Sequence, residues 1–138
     1  MDVFNFAKTV PDWMDRSFFE KVVQEMEKDS EANVENFDVL AGSNPGDNFA
    51  SSIYRAKIEF KSKFTRNETK SISVIIKTEI INGIECMQDF VKDSPMFRNE
   101  IEMYDKVLPE IQALWQSVGD KDFLCPKLVK IDNKFNLL

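Results

Sequence analysis

Apolar side chains recur at helical spacing along residues 16–28 (RSFFEKVVQEMEK). Phe18, Phe19, Val22, Val23 and Met26 fall on one face, and Glu20, Gln24, Glu27 and Lys28 lie around the other. Asp15 precedes this run as its N-cap, because its carboxylate can accept a backbone N–H of the first turn that has no partner within the helix. Ahead of it, Pro11-Asp12-Trp13 is expected to dock Trp13 against the body. The pattern then changes to extended. Residues 34–40 (VENFDVL) predict a first strand with Val34, Phe37 and Val39 inward. Residues 49–60 (FASSIYRAKIEF) alternate well, with Tyr54, Ala56, Ile58 and Phe60 on one face and Arg55, Lys57 and Glu59 on the other. Residues 71–79 (SISVIIKTE) are rich in β-branched side chains and predict a third strand. The turn cluster 41–48 (AGSNPGDN) separates the first two strands, and the polar stretch 61–70 joins the second and third, giving an antiparallel meander.

Helical spacing returns after Ser94-Pro95, with Ser94 as the N-cap and Pro95 in the first turn. Phe97, Ile101, Tyr104 and Leu108 form the stripe. Pro109 is expected to break or kink this helix, since its ring clashes with the carbonyl four residues back. A short second helix over 109–118 should follow, ending at Gly119. Residues 123–138 (FLCPKLVKIDNKFNLL) predict one or two further strands joined at Asp132-Asn133. The sum is an α+β domain: an antiparallel sheet of about five strands, an N-terminal helix and a second long helix. Residues 1–15 form a leading segment and 16–138 the domain. The ending on Phe135-Asn136-Leu137-Leu138 suggests a chain cut short of a natural boundary, with an exposed apolar edge that would favour aggregation.

A chain of 138 residues can bury roughly 68% of its unfolded surface, enough for an independent core. Twelve Phe among 43% hydrophobic residues exclude disorder over most of the length. No apolar run approaches the ~20 residues a bilayer span needs. The start, Met1-Asp2-Val3-Phe4-Asn5, lacks the basic and apolar regions of a signal peptide. Cys86 and Cys125 make no disulfide framework and are expected to be buried, as the Met residues are expected to fill the core. With no His and only two Cys, a protein-supplied zinc site is not expected, and Asp89 and Asp93 fall in a solvated connection. These features predict a cytoplasmic protein. Residues 12–38 carry nine acids and three bases, whereas 47–77 carry seven bases and three acids. A local basic stretch in an acidic chain suits a small anionic ligand better than nucleic acid. Its simplest alternative is a solvated, Lys-rich hairpin.

Three features stand in a meaningful order: a Gly-containing turn, Lys77 closing the aliphatic run Val74-Ile75-Ile76, and Glu100 on the next long helix. In a kinase small lobe, backbone N–H groups of such a loop cover phosphates, the strand Lys contacts them, and a helix Glu fixes the Lys. Glu102 is the rival to Glu100. It lies about 200° round the helix, so both cannot face one Lys.

The segments 45–55 (PGDNFASSIYR), 73–78 (SVIIKT) and 97–110 (FRNEIEMYDKVLPE) resemble the insect ecdysteroid kinase-like family, relatives of choline and aminoglycoside kinases within the protein-kinase-like fold. Pro11-Asp12-Trp13-Met14 and Leu124-Cys125-Pro126-Lys127-Leu128 are also similar to that family, so the likeness spans roughly residues 11–137. The resemblance implies a protein-kinase-like small lobe and ATP-dependent phosphorylation of a small-molecule hydroxyl. Gly46, Asp47, Asn48, Phe49, Ala50 and Ser51 would line the phosphates, Lys77 would contact them, and Glu100 would pair with Lys77. The family's catalytic Asp and Mg²⁺-binding Asp belong to a large lobe. No His-x-Asp or Asp-x-Gly motif is readable here, so the polypeptide alone is expected to be inactive, with Mg²⁺ and most of the acceptor pocket supplied by that missing lobe. The competing readings are a truncated product that binds nucleotide or protein without catalysis, and an unrelated α+β binding module.

Overall fold

Helix α1 (Arg16–Glu27) forms where the apolar spacing predicts it, in a computed structural model that describes residues 10–44, 51–65, 68–79, 94–132 and 135–137. Its cap is the expected one: the Phe18 N–H donates to Asp15 Oδ1 at 2.9 Å. Phe18, Phe19, Val22 and Val23 are buried on its inner face. Trp13 docks as expected, edge-on to Phe18 with ring centroids 5.0 Å apart.

The strands are β1 (Asn33–Ala41), β2 (Ser51–Lys61), β3 (Lys70–Glu79), β4 (Val129–Asp132) and β5 (Phe135–Leu137). They form one sheet in the order β1-β2-β3-β5-β4, and every pairing is antiparallel. The sheet and α1 make one compact unit, residues 1–80 with 129–138; residues 81–128 make a second. In β2 the alternation is as read from the sequence: Tyr54, Ala56, Ile58 and Phe60 are buried, against Val74 and Ile76 of β3 and the inner face of α1. The step from Val34 to Phe37 is odd, so plain alternation cannot bring both inward. A bulge resolves it, with Val34 opposite Phe60 but Asn36 opposite Glu59. The Arg16 guanidinium donates to the carbonyls of Val34 and Glu35 at this bulge, tying the start of α1 to β1. Phe37 and Val39 end up only half-buried, packed at the margin of the core.

Asp29, just beyond α1, is 2% exposed. It accepts the Lys63 N–H at 2.8 Å and the Glu31 N–H at 3.2 Å, and so fastens the helix to the β2–β3 connection. That connection contains a short 3-10 turn, Lys63–Thr65.

In the second unit, α2 (Met96–Glu102) begins one residue later than the sequence suggests, with Pro95 at the cap position. The Ser94 hydroxyl still receives the Met96 N–H, at 3.3 Å. Pro109 does not break the helix. A π segment, Met103–Val107, leads directly into α3 (Leu108–Ser117), and the Leu108 N–H donates five residues back to Met103 O. The wider turn absorbs the proline by changing which carbonyls are used just ahead of it. α3 ends one residue before the expected limit, and Gly119 takes φ +93° beyond it. Phe97, Ile101, Tyr104 and Leu108 form a half-buried stripe. Met14 is buried, but Met96 and Met103 are exposed rather than core filler, and Cys125 is half-buried rather than enclosed. Cys86, Asp89, Asp93 and the side chains of Phe135, Leu137 and Leu138 lie outside the described residues.

Candidate functional site

Because side chains alternate across a strand, β2 and β3 present a second face, opposite α1. The register sorts that face into two halves. Toward the β2–β3 connection it is polar: Asn36 is opposite Glu59, which is opposite Ser71, and Asp38 is opposite Lys57, which is opposite Ser73. Toward the β1–β2 loop it becomes apolar and cationic. Leu40 is opposite Arg55, Arg55 is opposite Ile75, and Ile53 is opposite Lys77. Lys77 and Ile53 are half-buried, whereas Arg55 is exposed. Ser51, opposite Glu79, is diagonal to Lys77 on this face and is itself 5% exposed. Lys77 thus sits on the middle strand of five, beside Ile53 on one neighbour and Asn136 on the other.

The chain leaves β1 for the loop at Gly42, whose N–H donates to Ile53 O at 2.8 Å. A Cβ at this position would lie 2.7 Å from Ile53 Cγ2 and 3.2 Å from the Ile53 carbonyl carbon and oxygen. Glycine is therefore required by space: it lets the loop entry close down on the residue that flanks Lys77.

Of the residues singled out from sequence, Ser51 and Lys77 are brought to one face of one sheet. Gly46, Asp47, Asn48, Phe49 and Ala50 lie outside the described residues. Glu100 lies on α2 in the second unit, half-buried on the side of Phe97, Ile101 and Tyr104. Glu102 is exposed and ion-paired with Lys106 at 3.5 Å, one turn along the helix. Sequence reasoning missed Leu40, Ile53, Arg55 and Ile75. Two signals pointed to them. Ile53 breaks the polar row of the outward positions, and Val74-Ile75-Ile76 is apolar on both faces, the mark of a strand covered on both sides.

Among the described residues, the two carboxyl groups with displaced titration lie at the other end of the sheet. The Lys63 backbone N–H, above all, holds Asp29 below the usual carboxylate range against the opposing effect of its burial. Glu35 is held low by Lys61, at 2.5 Å, and then by the Thr69 hydroxyl. Both groups brace structure. Among the described residues no group of three or more His, Cys, Asp or Glu could hold a metal ion, so a magnesium site is assigned to none of them.

A five-stranded antiparallel sheet with a helix on one face, and a lysine on the other at the loop end of its middle strand, defines an α+β kinase-like small lobe. Residues 45–137 match the model of the ecdysteroid kinase-like family, and the chain belongs to that family. No curated protein and no solved structure matches it. No helix among the described residues is long and apolar enough to cross a membrane.

Proposed function

We propose that this chain is the nucleotide-gripping lobe of a cytoplasmic, ATP-dependent kinase acting on the hydroxyl of a small, ecdysteroid-like molecule. The observation that carries the reading is the placement of Lys77 within the family-matching segment, at the loop end of the middle strand and flanked by Ile53 and Ile75. An ammonium beside aliphatic side chains can meet a phosphate while the apolar surface takes the less polar parts of a nucleotide. In this reading Gly46 to Ser51 line the phosphates, Lys77 contacts them, and Glu100 pairs with Lys77 to fix it. Glu100 takes that role because it holds the position that matches the family pattern, whereas Glu102 lies about 200° round the helix from it. The in-line base and the metal ligands of phosphoryl transfer are assigned to no residue of this chain, so binding is the activity to measure.

The test is an amide-shift titration with ATP up to millimolar concentration, which registers weak binding and locates it. Shifts should concentrate at Ser51, Ile53, Ile75 and Lys77 and vanish in Lys77→Ala. Glu100→Gln should weaken binding where Glu102→Gln does not. An ATP response confined to the second unit, or unchanged by Lys77→Ala, refutes the assignment.

A further inference from the structure

On β2 and β3, Arg55 is the one cation whose side chain makes no hydrogen bond or ion pair. Lys57 has Glu59 at 3.8 Å, Lys61 has Glu35 at 2.5 Å and Lys70 has Glu27 at 3.8 Å, and Lys77 also has a partner. Arg55 instead stands between Leu40 on β1 and Ile75 on β3, and the nearest acid by register, Asp38, is opposite Lys57. A guanidinium set among aliphatic neighbours on a face that is polar elsewhere is oddly placed for mere solubility. Solubility would be served as well by the Asp, Lys, Glu and Ser pairs one and two positions away.

The register relates Arg55 to Lys77. Ile75 is opposite Arg55, and Lys77 is two residues on from Ile75 on the same face. Such diagonal neighbours stand roughly 7–8 Å apart, well within the combined reach of two long side chains. The two heads differ in kind. An ammonium acts as a compact point charge, whereas a guanidinium offers two parallel N–H groups to two oxygens of one phosphate. Two cations at this spacing can hold successive phosphates of one polyphosphate, and neither can do so alone.

We propose that Arg55 is a second phosphate-binding residue of this face, one that makes affinity depend on the number of phosphates in the nucleotide. This rests on the nucleotide reading above and adds the class selected: di- and triphosphates over monophosphates, by a bidentate contact next to the one made by Lys77.

The experiment compares ATP, ADP and AMP on the 138-residue chain by the same amide-shift titration, for the wild type, Lys77→Ala, Arg55→Ala and Arg55→Lys. Arg55 is exposed and its side chain makes no hydrogen bond or ion pair, so its variants should melt as the wild type does. Arg55→Ala should weaken ATP roughly tenfold while leaving AMP almost unchanged, the size expected for losing one charge-assisted contact in a partly open site. Arg55→Lys should restore part of the loss, since it returns charge without the fork. If the wild type binds no nucleotide, the proposed function falls and the role of Arg55 with it. If Lys77→Ala weakens ATP but Arg55→Ala keeps the wild-type order of ATP, ADP and AMP, the role of Arg55 alone is overturned.

Discussion

Replacing Gly42 by Ala tests the loop entry by adding a single methyl group. That methyl would sit 2.7 Å from Ile53 Cγ2, where ordinary contact begins at 3.4 Å, and 3.2 Å from the Ile53 carbonyl. Backbone C and O atoms on a paired strand have little room to move, so either the Ile53 side chain turns aside or the loop entry lifts. Forcing extra volume into a filled site costs about 1–3 kcal/mol. In a chain of this size that is a fall of very roughly 4 °C in melting temperature per kcal/mol. The informative measurement is a double-mutant cycle by urea denaturation. Ile53→Ala removes Cγ2 and should cost about 1 kcal/mol, because Ile53 is only half-buried. Combined with Gly42→Ala it should recover most of the overpacking penalty, so the double variant is more stable than the two single losses predict. Independent sites add within about 0.5 kcal/mol. Additivity at that level would mean that the methyl group does not meet Ile53, and the account of the loop entry would be wrong.

Phe19→Ala should cost about 3–5 kcal/mol, because Phe19 is fully buried against Phe18 and Phe37 and leaves a cavity the rigid sheet cannot fill; an unchanged urea midpoint would contradict the core described. Acid should destabilise the fold through Asp29 and Glu35. Both carboxyls are held below their unfolded values, so their stabilisation is complete above about pH 5 and is lost progressively as pH falls from there through the lowered native values. Melting temperatures from pH 7 to 2 should be flat and then fall, and the acid fall should be shallower in Asp29→Asn; equal slopes in both proteins would remove Asp29 from the account.

The sheet was legible because β2 has one apolar face and one polar face, so its alternation fixes both strand and orientation. The helix α1 was legible for the corresponding reason at helical period. The bulge in β1 was present in the sequence as the odd step from Val34 to Phe37, although the Arg16 contacts that settle it join residues 18 positions apart and have no local signature. Pro109 was read as breaking or kinking the helix, and the break does not occur. A rule about the α-helix was applied to a stretch that could widen into a π turn, and the choice between breaking and widening depends on the whole stretch Met103–Val107. The candidate face was half legible. Lys77 came forward from the ordered motif and Ser51 from the family resemblance, and the register sets both on that face. Arg55 and Ile53 were passed over, because a strand read one residue at a time does not show what stands beside it on the next strand.

The two faces of the sheet divide the work between them, and that division is itself open to contradiction. On the α1 side, Ala56, Ile58, Phe60 and Ile76 are fully buried and shared with the helix, so substitutions there act on stability first. On the other side, exposed Arg55 spends a charged group where Ser or Thr would serve a sheet equally well, so its loss should leave the melt nearly untouched. The register forces this separation, because a strand with period two cannot send neighbouring residues to the same side. Ile75 and Ile76 make the sharpest pair, being adjacent, identical in composition and opposite in direction. Ile76→Ala should unfold the protein well before Ile75→Ala does, while Ile75→Ala should be the one that weakens nucleotide binding at temperatures where both variants are folded. Equal losses of stability at the two positions would mean that the outer face is simply more core, and the case for a ligand surface there would lose its physical basis.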